Sequence, residues 1–101
     1  MEIKLDKKDT ALTVALTERL DTVTSPDLEE VLRKELDGIT DVTFDFDELD
    51  YISSAGLRVL LSTQKRMLKQ GKMRIINANP VIMEIFEVTG FADAIDITAK
   101  Q

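Results

Sequence analysis

Apolar residues at Ile3 and Leu5, and again at Leu12, Val14 and Leu16, recur at every second position, the spacing of half-buried strands. The polar stretch "KKDT" separates the two runs, so the pattern predicts an N-terminal hairpin. From Ser25 the spacing lengthens: Leu28, Val31, Leu32, Glu35 and Leu36 fall at helical intervals before Gly38. Ser25 is expected as the N-cap of that helix, with Pro26 at its first position. "DVTFDF" returns to alternation, with Val42, Phe44 and Phe46 on one face, and "DFDELD" reads as a solvated acidic loop. A second helix is expected from near Ser54 to Gly71. Its buried face is read as Leu57, Leu60, Leu61, Gln64 and Leu68, with Arg58, Ser62, Lys65 and Lys69 elsewhere. "KMRII" is a further strand, "VIMEIFEVTG" a third helix with Ile82, Ile85, Phe86 and Thr89 on one face, and "AIDI" a last strand.

Strands alternating with helices imply right-handed crossovers and parallel pairing after the hairpin. The predicted fold is α/β: a mixed, largely parallel sheet of four to five strands with an N-terminal hairpin, covered by three helices, in one domain spanning residues 1–101. In open sheets of this kind, sites collect beyond the carboxyl ends of strands. "DYISSAGLRVLL", Asp50 to Leu61, lies at such a place.

Composition narrows the chemistry. The 101 residues include no cysteine and no histidine, which removes disulfides, thiolate and imidazole metal sites, cysteine nucleophiles and histidine triads. No cofactor or metal is called for, and the chain reads as a non-enzyme. A net charge of -6 disfavours nucleic acid. Charges at Glu2, Lys4, Asp6, Lys7 and Lys8 leave no apolar stretch for a signal peptide, and no long apolar run occurs elsewhere. A cytoplasmic protein without membrane contact is the expectation.

In "YISSAGL", Ser54 falls at the start of a helix, where unpaired backbone amides and the positive dipole end favour a capping hydroxyl or an added phosphate. Serine is also an ordinary N-cap, so spacing alone leaves both roles open. Gly56 costs about 1 kcal/mol relative to alanine inside a helix, which points to close approach by a neighbouring strand or a partner. "FDFDEL" offers a different chemistry, an acidic phosphoacceptor site on Asp45 or Asp47 with magnesium, although no acid pair follows the first strand to complete it.

The stretch "FDFDELDYISSAGLRVLLSTQKRMLKQGKMRIINANPVIMEIFEVTGFADAIDI" resembles the bacterial anti-sigma factor antagonists of the sulfate transporter and anti-sigma factor antagonist (STAS) domain family. In that family an acid-serine-small-glycine-leucine loop opens a helix, and alignment on Gly56 and Leu57 makes Ser54 the phosphorylated serine. Asp45 matches a strand aspartate expected to support the site, "IFEVTGF" matches a later helix end, and Asp21 in "ERLD" matches an early aspartate. The sequence departs from the pattern at Ser53, where an acid is usual and which is an alternative acceptor. It departs also at Ala55, at Arg58 in place of glycine, and at Glu18 and Arg19 in place of a glycine-glutamate pair.

The resemblance implies that the unphosphorylated chain binds an anti-sigma factor serine kinase and so releases sigma factor. Phosphorylation of Ser54 would end that complex until a PP2C-type phosphatase restores the serine. Asp21, Ser53, Ser54, Ala55, Gly56 and Arg58 are then the expected contact residues, with Arg58 placed to pair with the phosphate or with a partner's acid. The alternative within the same fold is a non-phosphorylated scaffold or an accessory subunit of a transport complex.

Overall fold

The structure is a computed structural model describing all 101 residues. Strands β1 (Ile3–Lys8) and β2 (Ala11–Leu20) are followed by α1 (Ser25–Glu35), β3 (Asp41–Ile52) and α2 (Ser54–Gln70). The chain then forms β4 (Lys72–Ala78), α3 (Pro80–Thr89), the single turn α4 (Phe91–Ala94) and β5 (Asp96–Ala99). The five strands lie in the sheet in chain order. β1 pairs antiparallel with β2, and every later pairing is parallel, so the hairpin and the mixed sheet stand as the sequence indicated.

Alternation decides which face is covered. Leu12 pairs with Val42 and Val42 with Met73, while Val14 pairs with Phe44 and Phe44 with Ile75, so these side chains line one face. They join Leu28, Leu32 and Leu36 of the α1 region, Val59, Leu60 and Met67 of α2, and Ile82 and Phe86 of α3 in one apolar cluster. The helices therefore cover a single face. The opposite face carries Thr13, Thr43 and Arg74 in register, and Arg74 spans Thr43 Oγ1 at 3.1 Å and Asp41 Oδ2 at 3.0 Å. A half-solvated sheet of this kind reads as clean alternation, which is why β2 and the first half of β3 were legible.

Three local expectations are corrected. The acidic "DFDELD" is strand, not loop: β3 continues to Ile52 because β2 is long enough to pair with it as far as Leu20. Bulges between Ala15 and Thr17 and between Glu18 and Arg19 stretch the inward positions of β3 to Phe46, Leu49 and Ile52, which breaks the period of two. On α2 the buried arc is Gly56, Val59, Leu60, Thr63 and Met67, whereas Leu61 and Leu68 are exposed. The helix is thus rotated from the expected phase, because its first turn lies on Leu20 and Ile52 at Gly56. The N-cap of α1 is Thr24 rather than Ser25, whose hydroxyl is buried without a partner.

The other boundaries follow from backbone chemistry. Asn79 caps α3 by accepting from the Ile82 amide at 2.9 Å, Pro80 occupies the first turn, and Gly90 ends the helix in the left-handed region at φ 81°. Gly71 ends α2, where a Cβ would collide with the Thr40 carbonyl. No helix is long and apolar enough to cross a membrane.

Candidate functional site

β2 and β3 run side by side to Leu20 and Ile52, and the Ser53 amide donates to the Leu20 carbonyl at 2.9 Å. That bond brings Asp21 and the start of α2 to one edge of the sheet. Ser53 is the N-cap residue, in extended conformation, but its side chain makes no capping hydrogen bond. Its Oγ is sealed from solvent and unpartnered. Ser54, the first helical residue, is exposed. The first amides of α2 are thus uncapped by the neighbouring hydroxyl, and its first turn holds no acid.

Gly56 explains how the helix comes so close. A Cβ there would lie 2.8 Å from Ile52 Cγ1, 2.8 Å from Leu20 Cγ and 2.9 Å from the Leu20 carbonyl oxygen. Only a residue without a side chain lets the first turn rest on the two strand ends, so the close approach is internal. Ala55 is half-buried beside it. Arg58, one turn beyond Ser54, is exposed and joins no ion pair.

Asp21 shapes the neighbouring turn. Its Oδ1 accepts from the Val23 amide at 3.0 Å, the Thr24 amide at 3.1 Å and the Thr24 hydroxyl at 3.2 Å, while Arg19 Nε lies 3.6 Å from Oδ2. The Thr24 amide, with the other donors, holds this carboxyl below the usual carboxylate range. The Thr24 hydroxyl closes the loop by sharing its one proton between Asp21 Oδ1 and the Arg19 carbonyl, 2.9 Å away, and by accepting from the Asp21 amide at 2.8 Å. Arg19 also stacks over Tyr51, 4.7 Å from the ring centroid, and so joins this turn to the end of β3.

Asp45 does not belong to this cluster. Its Oδ1 accepts from the Asp47 amide at 3.0 Å and from Asn77 Nδ2 at 2.9 Å, which pins β3 to β4 where their pairing ends. The expected support of Ser54 by Asp45 is therefore corrected: this carboxylate is occupied well back along the strand. Asp47 lies 3.4 Å from Lys100 Nζ, and no three carboxylates converge in the manner of a metal pocket.

Support for the Ser54 segment comes instead from Asn79, which the sequence reading passed over. Its Nδ2 donates to the carbonyls of Leu49 at 3.1 Å and Asp50 at 3.3 Å, while its Oδ1 caps α3. The Asn-Pro pair before an apolar helix signalled the cap, but nothing local signalled the bond to β3.

The model of the STAS domain family matches residues 2–100. The BtrV protein of Bordetella bronchiseptica, named as an anti-sigma factor antagonist, is 37% identical over 93 residues, covering 90% of this chain and 80% of its own. The anti-sigma-B factor antagonist of Bacillus subtilis is 30% identical over 103 residues, covering 99% and 94%. Among solved structures, the anti-sigma factor antagonist SpoIIAA in its unphosphorylated form shares the fold with a TM-score of 0.83 at 15% identity, over 95% of this chain and 87% of its own. The Bacillus cell fate determinant SpoIIAA in its phosphorylated form matches with a TM-score of 0.75 at 15% identity, over 95% and 90%. A family match running nearly end to end, on a five-stranded sheet whose second long helix opens at an exposed serine, makes this chain a member of the STAS domain family.

Proposed function

We propose that this chain is an anti-sigma factor antagonist: unphosphorylated, it binds an anti-sigma factor serine kinase and frees sigma factor, and phosphorylation of Ser54 switches it off. The observation that carries the reading is the contrast between two adjacent serines. Ser54 is exposed at the mouth of α2, while the Oγ of Ser53 is sealed and out of reach of a visiting active site. In the reaction, Ser54 Oγ attacks the γ-phosphorus of ATP held by the kinase, the bond to ADP breaks, and the hydroxyl proton passes to a base of the kinase. A PP2C-type phosphatase reverses the change by hydrolysing the ester to serine and inorganic phosphate.

A phosphate on Ser54 carries about -1.5 to -2 charges. In the free protein the amides of the first turn and the unpaired Arg58 favour that charge. Inside a close, desolvated interface containing a partner's acids, the same charge is repelled, so the complex separates while the fold persists. The names of the relatives with 37% and 30% identity support the role, and the two forms of SpoIIAA are consistent with it.

The test is incubation with the cognate kinase and ATP, followed by mass spectrometry. One phosphate is expected on Ser54 of the wild-type chain and none on Ser54→Ala, and Ser54→Asp should lose kinase affinity with its helical circular dichroism unchanged. Phosphate acquired at the wild-type rate by Ser54→Ala would overturn the site. A wild-type chain that neither binds the kinase nor is labelled by it would favour a scaffold instead.

A further inference from the structure

We infer that the outer crest of α2, beyond Ser54, is a docking rail for an acidic protein surface; resting on the function proposed above, its occupant is the same kinase. The first observation is a segregation of charge. From Tyr51 to Met83 the chain has no aspartate or glutamate, although it holds nineteen acids and a net charge of -6. The same segment carries Arg58, Lys65, Arg66, Lys69, Lys72 and Arg74, six of the thirteen cationic residues.

The fold turns that segregation into a surface. With Gly56, Val59, Leu60, Thr63 and Met67 buried, helical spacing puts Ser54, Arg58, Leu61, Lys65, Leu68 and Lys69 together on the opposite, exposed crest. Arg66 and Arg74 are engaged with Asp37 at 3.4 Å and Asp41 at 3.0 Å, but Arg58, Lys65 and Lys69 pair with nothing. Lys65 and Lys69 stand one turn apart and repel each other, a cost that the folded chain leaves in place and an acidic partner would relieve. Leu68 is 72% exposed and Leu61 38% exposed, so the cations are interleaved with apolar side chains that a protein surface, once docked, would desolvate.

A protein fits this crest better than a polyanion. The molecule carries a net charge of -6 as a whole, so an extended nucleic acid or an anionic bilayer gains little from one cationic helix crest. The apolar arc of α2 is locked into the core, which leaves only Leu61 and Leu68 on the outer side, too little apolar surface to anchor the helix in lipid. The rail is also continuous with Ser54: a phosphate there would sit on the same crest, one turn from Arg58, and neutralise the end nearest the kinase's active site.

The experiment compares the full-length wild type with Lys65→Glu/Lys69→Glu and the neutral Lys65→Gln/Lys69→Gln, using a kinase shown to label wild-type Ser54. Thermal melts verify that all three are folded. Charge reversal is expected to slow association about tenfold at low salt, the neutral pair by less, and added salt should slow the wild type most. Association of both variants at the wild-type rate and salt dependence would overturn the rail while leaving Ser54 labelling, and the function, in place. Failure of the wild type to be labelled at all would bring down the function and this partner with it. Binding of phosphatidylglycerol vesicles or duplex DNA that charge reversal abolishes, with kinase association unaffected, would also overturn the proposal.

Discussion

At the scale of single residues, the site depends on one missing side chain and one turn of hydrogen bonds around Asp21. Alanine at position 56 would gain about 1 kcal/mol of helix propensity over glycine, but its Cβ would press on Leu20 and Ile52. Overpacking of this kind costs typically 1–3 kcal/mol, and one of the atoms in the way is backbone, so the clash outweighs the propensity. Gly56→Ala is therefore expected to lower stability by about 1 kcal/mol, read as a lower urea midpoint with unchanged slope; a rise in the midpoint would contradict the close packing. Asp21 gives a pH signature. Its folded carboxyl titrates below the ordinary value of 3.8, led by the Thr24 amide, so its charge favours the folded state above 3.8 and that contribution is lost as pH falls through the lowered folded value. The difference in urea midpoint between wild type and Asp21→Ala should be largest near neutrality and shrink below 3.8, whereas a gap constant with pH would mean the carboxylate charge is not what holds the turn.

At the scale of elements, what the sequence disclosed depends on whether a local period governed the structure. The hairpin, the first half of β3 and the stop at Gly90 were legible because alternation and left-handed glycine chemistry act over a few residues. The continuation of β3 through Glu48 and Asp50 was not, since it is imposed by pairing with β2 far back in the chain and takes bulges in β3 itself. The phase of α2 was missed for a similar reason: Leu61 and Leu68 are better hydrophobes than Thr63, yet contact at Gly56 fixes the rotation and turns them outward. Ser54 was legible as a helix start, but the sealing of the Ser53 hydroxyl and the displacement of Asp45 from the site are tertiary facts. Asn79 shows how such a link can be tested. Asn79→Asp keeps the oxygen that caps α3, where negative charge is favoured, but replaces the donor to Leu49 and Asp50 with a repelled carboxylate oxygen. Amide exchange is expected to accelerate between Tyr51 and Ser54 before it does in α3, with a global loss of about 1 kcal/mol. The reverse order would show that the cap, not the bond to β3, is what matters.

At the scale of the whole molecule, the one-sided architecture separates Ser54, the proposed switch, from the core. All three longer helices pack on one face of the sheet, and every large buried side chain lies in the single cluster beneath them. Ser54 stands outside that cluster at its edge, so a charge added there removes no apolar contact and leaves the strand pairing untouched. What it meets is the amino end of a seventeen-residue helix without an acid in its first turn, and a free guanidinium one turn along. A negative charge at an exposed helix N-terminus is worth about 0.3–1 kcal/mol, and in a domain of this size 1 kcal/mol moves the melting temperature by about 4–8 °C. The phosphorylated protein should therefore melt no lower than the unphosphorylated one and at most about 8 °C above it, and Ser54→Asp should do the same, while both lose the kinase. Calorimetry on the two forms checks this directly. A clear fall in melting temperature would mean that modification acts by loosening α2 from Leu20 and Ile52, and a switch by local unfolding would then replace one by electrostatic exclusion.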